Sequence, residues 1–405
     1  MKKLISNYIH TFSGLSKEVW WLGFITLINR MGAMVIPFLS LYLSDDLCFS
    51  LSQIGWIMTS FGLGSLLGAW LGGKLTDRIG YYKVILSSLM LTGLSFFVVQ
   101  FFSSFWTICI SFFILIAVAD AARPAFFVAL SAYSKPENKT RSLTFIRLAI
   151  NLGFSMGPAI GGLIITTLGY VGLFWADGIT CIIAGIVMIK TLHPRKAKIL
   201  DKEVIVANPI TAHRDGIFIL FLIALTLFGF IFVQYISTIP IYYREVHFLS
   251  ERNIGLLLAL NGAIIFIFEM PLITYLESTS LSNIRNLVNG FILTGISFIS
   301  LLLTPWVGIL IIGMIVLTVG EMISFPFGNA FALDRSKRGR QGAYMGLYSM
   351  SFSMAHILGH NFGMQYINHY GYDNAWLFMA IIAAIATLLV LIVKQKITKE
   401  KSIIE

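Results

Sequence analysis

Residues 216–243 read GIFILFLIALTLFGFIFVQYISTIPIYY and hold no Asp, Glu, Lys or Arg. A helix needs about 20 apolar residues to cross the hydrocarbon core of a bilayer, and this run is longer. Its residues do not alternate apolar and polar as barrel strands do. Similar runs lie on both sides, at 19–43, 53–74, 83–102, 105–132, 141–166, 171–192, 253–276, 284–304, 306–333, 342–366 and 373–394. The spacing predicts an all-α membrane protein with twelve transmembrane helices. Composition agrees, because 57% of the 405 residues are hydrophobic and 12% are charged. A soluble domain carries about 25% charged residues, so the apolar excess must face lipid.

The formal net charge is +10. A basic chain can signal nucleic acid, but no zinc-finger spacing or separate basic domain is present. The 29 Lys and Arg residues sit mostly in loops that fall on one side of the membrane when the N-terminus is cytoplasmic. Arg244 and Arg252 alone fall on the far side, and Arg30, Arg123 and Arg147 lie inside spans. This asymmetry predicts a multi-pass protein of the cell (inner or plasma) membrane with both termini cytoplasmic. Cys48, Cys109 and Cys181 are too few and too scattered for a disulfide framework or a metal cluster. Lys2 and Lys3 precede an apolar stretch that starts only near Val19, and no small-residue cleavage site follows a short apolar core. The first span is therefore read as retained.

The longest polar loop, 193–215, divides the spans six and six. The expected organisation is a six-helix bundle over 1–192, a cytoplasmic linker over 193–215 and a second bundle over 216–405. The halves resemble each other at an offset near 200. Val118-Ala119-Asp120 matches Val319-Gly320-Glu321, Asp77 matches Glu277, and Gly157 and Gly161 match Gly359 and Gly363. Parallel repeats of this kind give pseudo-symmetric bundles.

After the second span comes Gly73-Lys74-Leu75-Thr76-Asp77-Arg78-Ile79-Gly80-Tyr81-Tyr82-Lys83. This is similar to the G-x-L-x-D-R-x-G-R-R/K loop of the major facilitator superfamily, with Tyr81 and Tyr82 departing from its basic end. The resemblance covers nearly the whole chain. It implies a conformational latch made of Gly73, Asp77, Arg78 and Gly80. Span 5 carries Gly153, Gly157, Pro158, Gly161 and Gly162 in the order of the family's antiporter motif, G-x-x-x-G-P-x-x-G-G. Small residues let helices approach closely, and proline bends them. The family's R-x-x-x-G in span 4 is missing at its usual place. Asp120-Ala121-Ala122-Arg123-Pro124 lies further along and resembles the D-x-x-R pattern of the drug:proton antiporter branch.

A charge at the bilayer centre costs ~3 kcal/mol or more, so buried charges are candidates for function. They are Arg30, Asp120, Arg123, Arg147, Asp177, Glu269 and Glu321. Asp120 and Arg123 are three residues apart on one helical face and can pair. The resemblance implies that spans 1, 4, 7 and 10 line a cavity. On them lie Asn29 and Arg30, Asp120 and Arg123, Gln234 and Tyr235, and Glu321. Glu321 and Asp120 are the expected proton carriers. Arg30, Asn29, Arg123, Gln234, Tyr235 and Arg147 are the expected substrate contacts. Asp177 is placed near the end of span 6 as an interfacial residue, and Glu269 is read as tying helix ends together. His356 and His360 are one turn apart and suit proton relay or packing. No third ligand makes them a metal site.

No Walker loop, nucleophile elbow or zinc-protease motif occurs, so neither an enzyme nor ATP drive is expected. No cofactor is expected either. The expected partners are a small organic solute, protons and the lipid bilayer, with the chain a monomer. Three readings stand. The first is proton-coupled efflux by antiport through alternating access. The second is symport of an anionic solute such as an organic acid, a peptide or a carboxylate siderophore. The third is a non-transporting receptor or scaffold.

Overall fold

The computed structural model describes residues 14–135, 139–194, 211–279, 282–303, 306–339 and 341–404. Most of the linker expected at 193–215 lies outside them. The described residues form helices without strands. In chain order these are α1 (Lys17–Met31), α2 (Val35–Leu41), α3 (Leu51–Ile79), α4 (Tyr81–Val99), α5 (Phe105–Asp120), α6 (Ala122–Tyr133) and α7 (Lys139–Leu168). There follow α8 (Val171–Thr191), α9 (Gly216–Phe232), α10 (Gln234–Glu245), α11 (Glu251–Ser278), α12 (Asn283–Ser300), α13 (Gly308–Ser336) and α14 (Gln341–Ile404).

Among the described residues, ten helical runs are long and apolar enough to span a membrane. The last, Tyr344–Glu400, is interrupted at Gly371, whose φ of 78° and ψ of 175° are not helical. A residue without Cβ adopts that conformation at no steric cost. α12 is not among the ten, because Asn283, Arg285, Asn286 and Asn289 lower its hydropathy; Asn286, Thr294, Ser297 and Ser300 are buried.

By internal contacts the chain forms two compact units. The first takes in the described residues to Phe38 and from Leu63 to the end of α8; the second takes in Leu39–Gly62 and the described residues from Thr211 onward. In the first unit, glycine spacing sets how closely α3 and α5 approach. A Cβ placed on Gly64, Gly68 or Gly72 would lie 2.4, 2.3 or 2.1 Å from the carbonyl oxygens of Phe113, Ala117 and Ala121. The span 5 glycines act in the same way on α1 and α2. A Cβ on Gly153 would lie 2.4 Å from Arg30 Cβ, and on Gly157 it would lie 3.1 Å from the Met31 carbonyl. On Gly161 it would lie 3.0 Å from Phe38.

The first span is broken. α1 ends at Gly32, and Pro37 lacks the N–H that would bond back to Ala33. The N–H groups of Met34 and Val35 instead donate to Asp177 Oδ1 and Oδ2 at 2.9 and 3.0 Å. Asp177 is 0% exposed, so its interfacial placement is corrected. It is a buried cap on the restarted half of span 1. Removing an acceptor from buried donors costs about 1–3 kcal/mol. Asp177→Ala is therefore expected to lower the melting temperature in detergent, and Asp177→Asn, which keeps one acceptor oxygen, to lower it less.

In the second unit, Cys48 and Phe248 both adopt φ of 54°. Around them the hydrogen bonds Phe49 N–H to Leu43 O and Leu249 N–H to Tyr243 O repeat one pattern. The same unit ties three helix ends together. Asp215 accepts from the Phe218 N–H at 3.1 Å, capping α9. Arg335, near the end of α13, donates to Asp215 Oδ2 from Nε at 2.6 Å and to Oδ1 from Nη2 at 2.8 Å. Tyr344 Oη also donates to Asp215 at 3.1 Å. Glu400 then accepts from Arg335 Nη1 at 2.7 Å and from Arg338. The first unit makes the corresponding tie with neutral groups. Ser16 Oγ donates to Tyr133 O at 2.7 Å, and Tyr133 Oη donates to His193 O at 2.8 Å.

Candidate functional site

In the first unit the break between α5 and α6 creates the acid site. Pro124 removes the N–H that would bond back to the Asp120 carbonyl, and α5 ends at Asp120. Both Asp120 oxygens accept from Arg123 Nη2 at 2.9 Å, and Oδ2 also accepts from Ser65 Oγ. The Arg123 side chain stays 54% exposed against 17% for Asp120, so much of the guanidinium remains available.

Arg30 sits where Gly153 lets α7 come close. Its guanidinium lies 5.5 Å from the centroid of the Phe154 ring. Its Nε is buried and has no hydrogen-bond partner among the described residues. Arg30 lies within electrostatic reach of the Asp120–Arg123 pair. Asn29 turns away, its Nδ2 donating to Cys181 Sγ at 3.5 Å. Arg147 is exposed on α7.

The second unit holds the other acid. Glu321 follows Gly320, where α13 lies against α12; a Cβ on Gly320 would lie 2.9 Å from the Gly290 carbonyl. Glu321 Oε2 accepts from Asn261 Nδ2 at 2.8 Å, and the same Nδ2 reaches Thr318 Oγ1 at 3.1 Å. Glu269 is two turns along α11 from Asn261, buried, and its charge acts on Glu321. Tyr235 donates its hydroxyl to Leu258 O at 2.9 Å and also feels the Glu321 charge.

Beside this group stands an aromatic wall. Phe325 is one turn from Glu321, with its ring centroid 5.1 Å from Phe232 and 5.4 Å from Phe352. Phe232 stacks on Tyr235 at 6.1 Å. All four rings are half-buried. Gln234 does not join them. It is 0% exposed, and its Nε2 donates to Gly359 O at 2.8 Å and Phe230 O at 3.0 Å. Thr238 Oγ1 takes up its carbonyl oxygen at 3.1 Å. Gln234 therefore ties α10 to α14 from a fully buried position.

At the α3–α4 turn Asp77 and Arg78 are exposed. Gly80 has φ of 85° and starts the turn into α4, while Gly73 has open space beside it. Among the described residues no group of three His, Cys, Asp or Glu is placed to hold a metal ion.

Ser65, Asn261 and Thr318 are uncharged residues that support the two acids. The signal was available: Asn261 is an amide deep in an apolar run, and Ser65 lies inside the Gly64–Gly68 stripe. Polar groups in hydrocarbon need partners just as charges do.

A family model for the Major Facilitator Superfamily matches residues 20–360 and again 285–403. Over 385 residues the chain is 24% identical to the MFS-type transporter YttB of Bacillus subtilis (strain 168), covering 92% of this chain and 94% of that protein. Over 185 residues it is 28% identical to the quinolone resistance protein NorA of Staphylococcus aureus, covering 45% of this chain and 47% of that one. Among solved structures it is similar in fold to a POT family transporter in complex with 5-aminolevulinic acid. The TM-score there is 0.81 at 17% identity, over 96% of this chain and 98% of that one. It is also similar to the nucleoside transporter NupG, with a TM-score of 0.79 at 12% identity over 93% of this chain and 100% of that one. The chain belongs to the major facilitator superfamily and is a multi-pass membrane transporter, not an enzyme.

Proposed function

We propose that the protein exports small, partly aromatic organic solutes in exchange for protons, with Glu321 and Asp120 as the proton carriers. The observation that carries this reading is the Glu321 group. One carboxyl, held by Asn261, stands next to the half-buried wall of Phe232, Tyr235, Phe325 and Phe352. An ionisable side chain inside a membrane span is costly to keep there, which makes Glu321 a candidate proton carrier. An aromatic wall beside an acid attracts amphipathic or cationic solutes through ring faces and charge. The similarity to NorA over part of the chain supports the same class.

The fold in this reading is twelve spans in two six-helix bundles, 1–192 and 216–405, joined by a linker. The break at Gly371, the inward polar face of α12 and the matched turns at Cys48 and Phe248 support it. Both termini are cytoplasmic, and the chain works as a monomer in the bilayer. Asp77, Arg78, Gly73 and Gly80 serve as the latch.

A second reading is symport of an anionic solute. The buried, unpartnered Arg30 Nε and the half-exposed Arg123 favour it. Guanidinium groups bind carboxylates in pairs of hydrogen bonds that are hard to replace. Proteoliposomes carrying a pH-sensitive dye separate the two. Export by antiport predicts proton flux evoked by aromatic cations. Proton flux evoked only by organic anions, and lost in Arg30→Ala, would favour the second reading and end the first.

A further inference from the structure

The stretch of α14 before Gly371 carries two histidines one turn apart. His356 Nδ1 and His360 Nε2 lie 3.0 Å apart, within hydrogen-bond distance. His360 is 1% exposed, whereas His356 is half-buried. The Nδ1 of His360 is buried and has no hydrogen-bond partner among the described residues. An imidazole pair placed this deep costs desolvation and adds little packing that Leu would not supply.

Apart from His356, the neighbours of His360 are neutral. Phe61 of α3 meets the His360 ring edge-on at 6.4 Å. Gly62 brings the α3 backbone against Ile357, and Gly359 brings α14 against Val233 and Phe230. Gln234 donates to the Gly359 carbonyl. After the Gly371 break, Phe378 stacks on Phe362. None of these neighbours titrates. α13 contributes Phe325, packed on Phe352 one turn before His356, and Glu321 one turn from Phe325. The charge that acts on His360 is that of His356.

We infer that His356 and His360 form a second proton-binding site, in which two hydrogen-bonded imidazoles hold one extra proton between them. The neutral pair has two N–H protons. One lies in the His356 Nδ1–His360 Nε2 bond and one on an outer nitrogen. A proton arriving at the unprotonated outer nitrogen makes the pair a single imidazolium with its charge shared across the bond. When the bridging proton shifts across, the opposite outer nitrogen can release its own. The pair therefore passes a proton between half-buried His356 and fully buried His360 without either ring leaving its place. Two nitrogens and no third ligand suit a proton better than a metal ion. The pair's place in a transport cycle rests on the proton-coupled reading above; its titration does not.

The test uses the full chain, labelled with 15N-histidine, in nanodiscs, titrated from about pH 5 to about pH 8. The expected result is that both imidazoles titrate together as one proton, and that His356→Gln removes the response of His360. Independent titration of the two rings, or a His360 response unchanged in His356→Gln, would overturn the inference. So would saturable zinc chloride binding that His360→Gln abolishes, because the pair would then be a metal site. Proton flux per solute in proteoliposomes is the second readout, and it is expected to fall in His356→Gln and His360→Gln alike. A pair that titrates as one proton in a protein with no proton-coupled flux would sink the proposed function and leave this site standing. Coupled flux that both variants leave intact, with no shared titration, would sink this site alone.

Discussion

Arg335→Ala is expected to cost about 3–5 kcal/mol of stability, because it strips the partner from a buried carboxylate. Arg335 and Asp215 are 8% and 4% exposed and share two hydrogen bonds. The loss is not confined to one pair. Asp215 caps α9, and Arg335 also holds Glu400 near the end of α14. Arg335→Lys keeps the charge but loses the fork, so an intermediate loss is expected. Adding Asp215→Ala to Arg335→Ala is expected to cost little more, or to recover some stability, since no unpaired charge is then left buried. Thermal unfolding in detergent gives all three values. A stability of Arg335→Lys close to that of the wild type would show that the fork geometry matters little.

The same cluster sets a pH dependence. Burial alone would raise the Asp215 carboxyl, but hydrogen bonds from Arg335, the Phe218 N–H and Tyr344, with the Arg335 charge, hold it below the usual carboxylate range. A group whose pKa is lower in the folded state adds stability above its unfolded value of about 3.9. That stability is lost as the pH falls through the folded value. Wild-type protein is therefore expected to lose stability in acid more steeply than Asp215→Asn. The neutral tie of the first unit, Ser16 to Tyr133 to His193, contains no such carboxylate.

Glu321→Gln is expected to abolish proton-driven export while leaving the fold intact. The amide fills the same space and can still accept from Asn261, so the α11–α13 contact survives. What it cannot do is take up and release a proton. The variant should reduce export against a gradient to the level seen without a proton gradient, with downhill movement of solute retained. Asn261→Ala tests the positioning of the acid. It leaves Glu321 without its amide donor, and it is expected to shift the pH profile of export rather than abolish it. Full proton-driven export by Glu321→Gln would show that the acid is not essential.

The spans were legible because their apolar runs are long and nearly free of charge, and α9 with α10 is the plainest case. Their interruptions were harder to see. Pro37 and Pro124 mark two of them, but the break before Gln234 carries no proline at the matching spacing. The sequence shows how deep a residue lies in a span, not which neighbour it faces. Asp177 was misplaced for that reason, since its partners are Met34 and Val35, more than 140 positions away. Gln234 shows the same limit, because a polar residue in a span can line a cavity or close a helix contact with equal ease. Asp120 and Arg123 paired as their spacing required. Glu321 was found as a lone acid in an apolar run, but its supports were not. Asn261 and Thr318 carry no charge, and they come together only when α11 packs on α13.

Proton release on solute binding tests the role of Glu321 most directly. Purified wild-type protein in weakly buffered detergent solution, mixed with an aromatic cation, is predicted to release about one proton per bound molecule. Glu321→Gln is predicted to bind and release none. Undiminished release from Glu321→Gln would contradict the account.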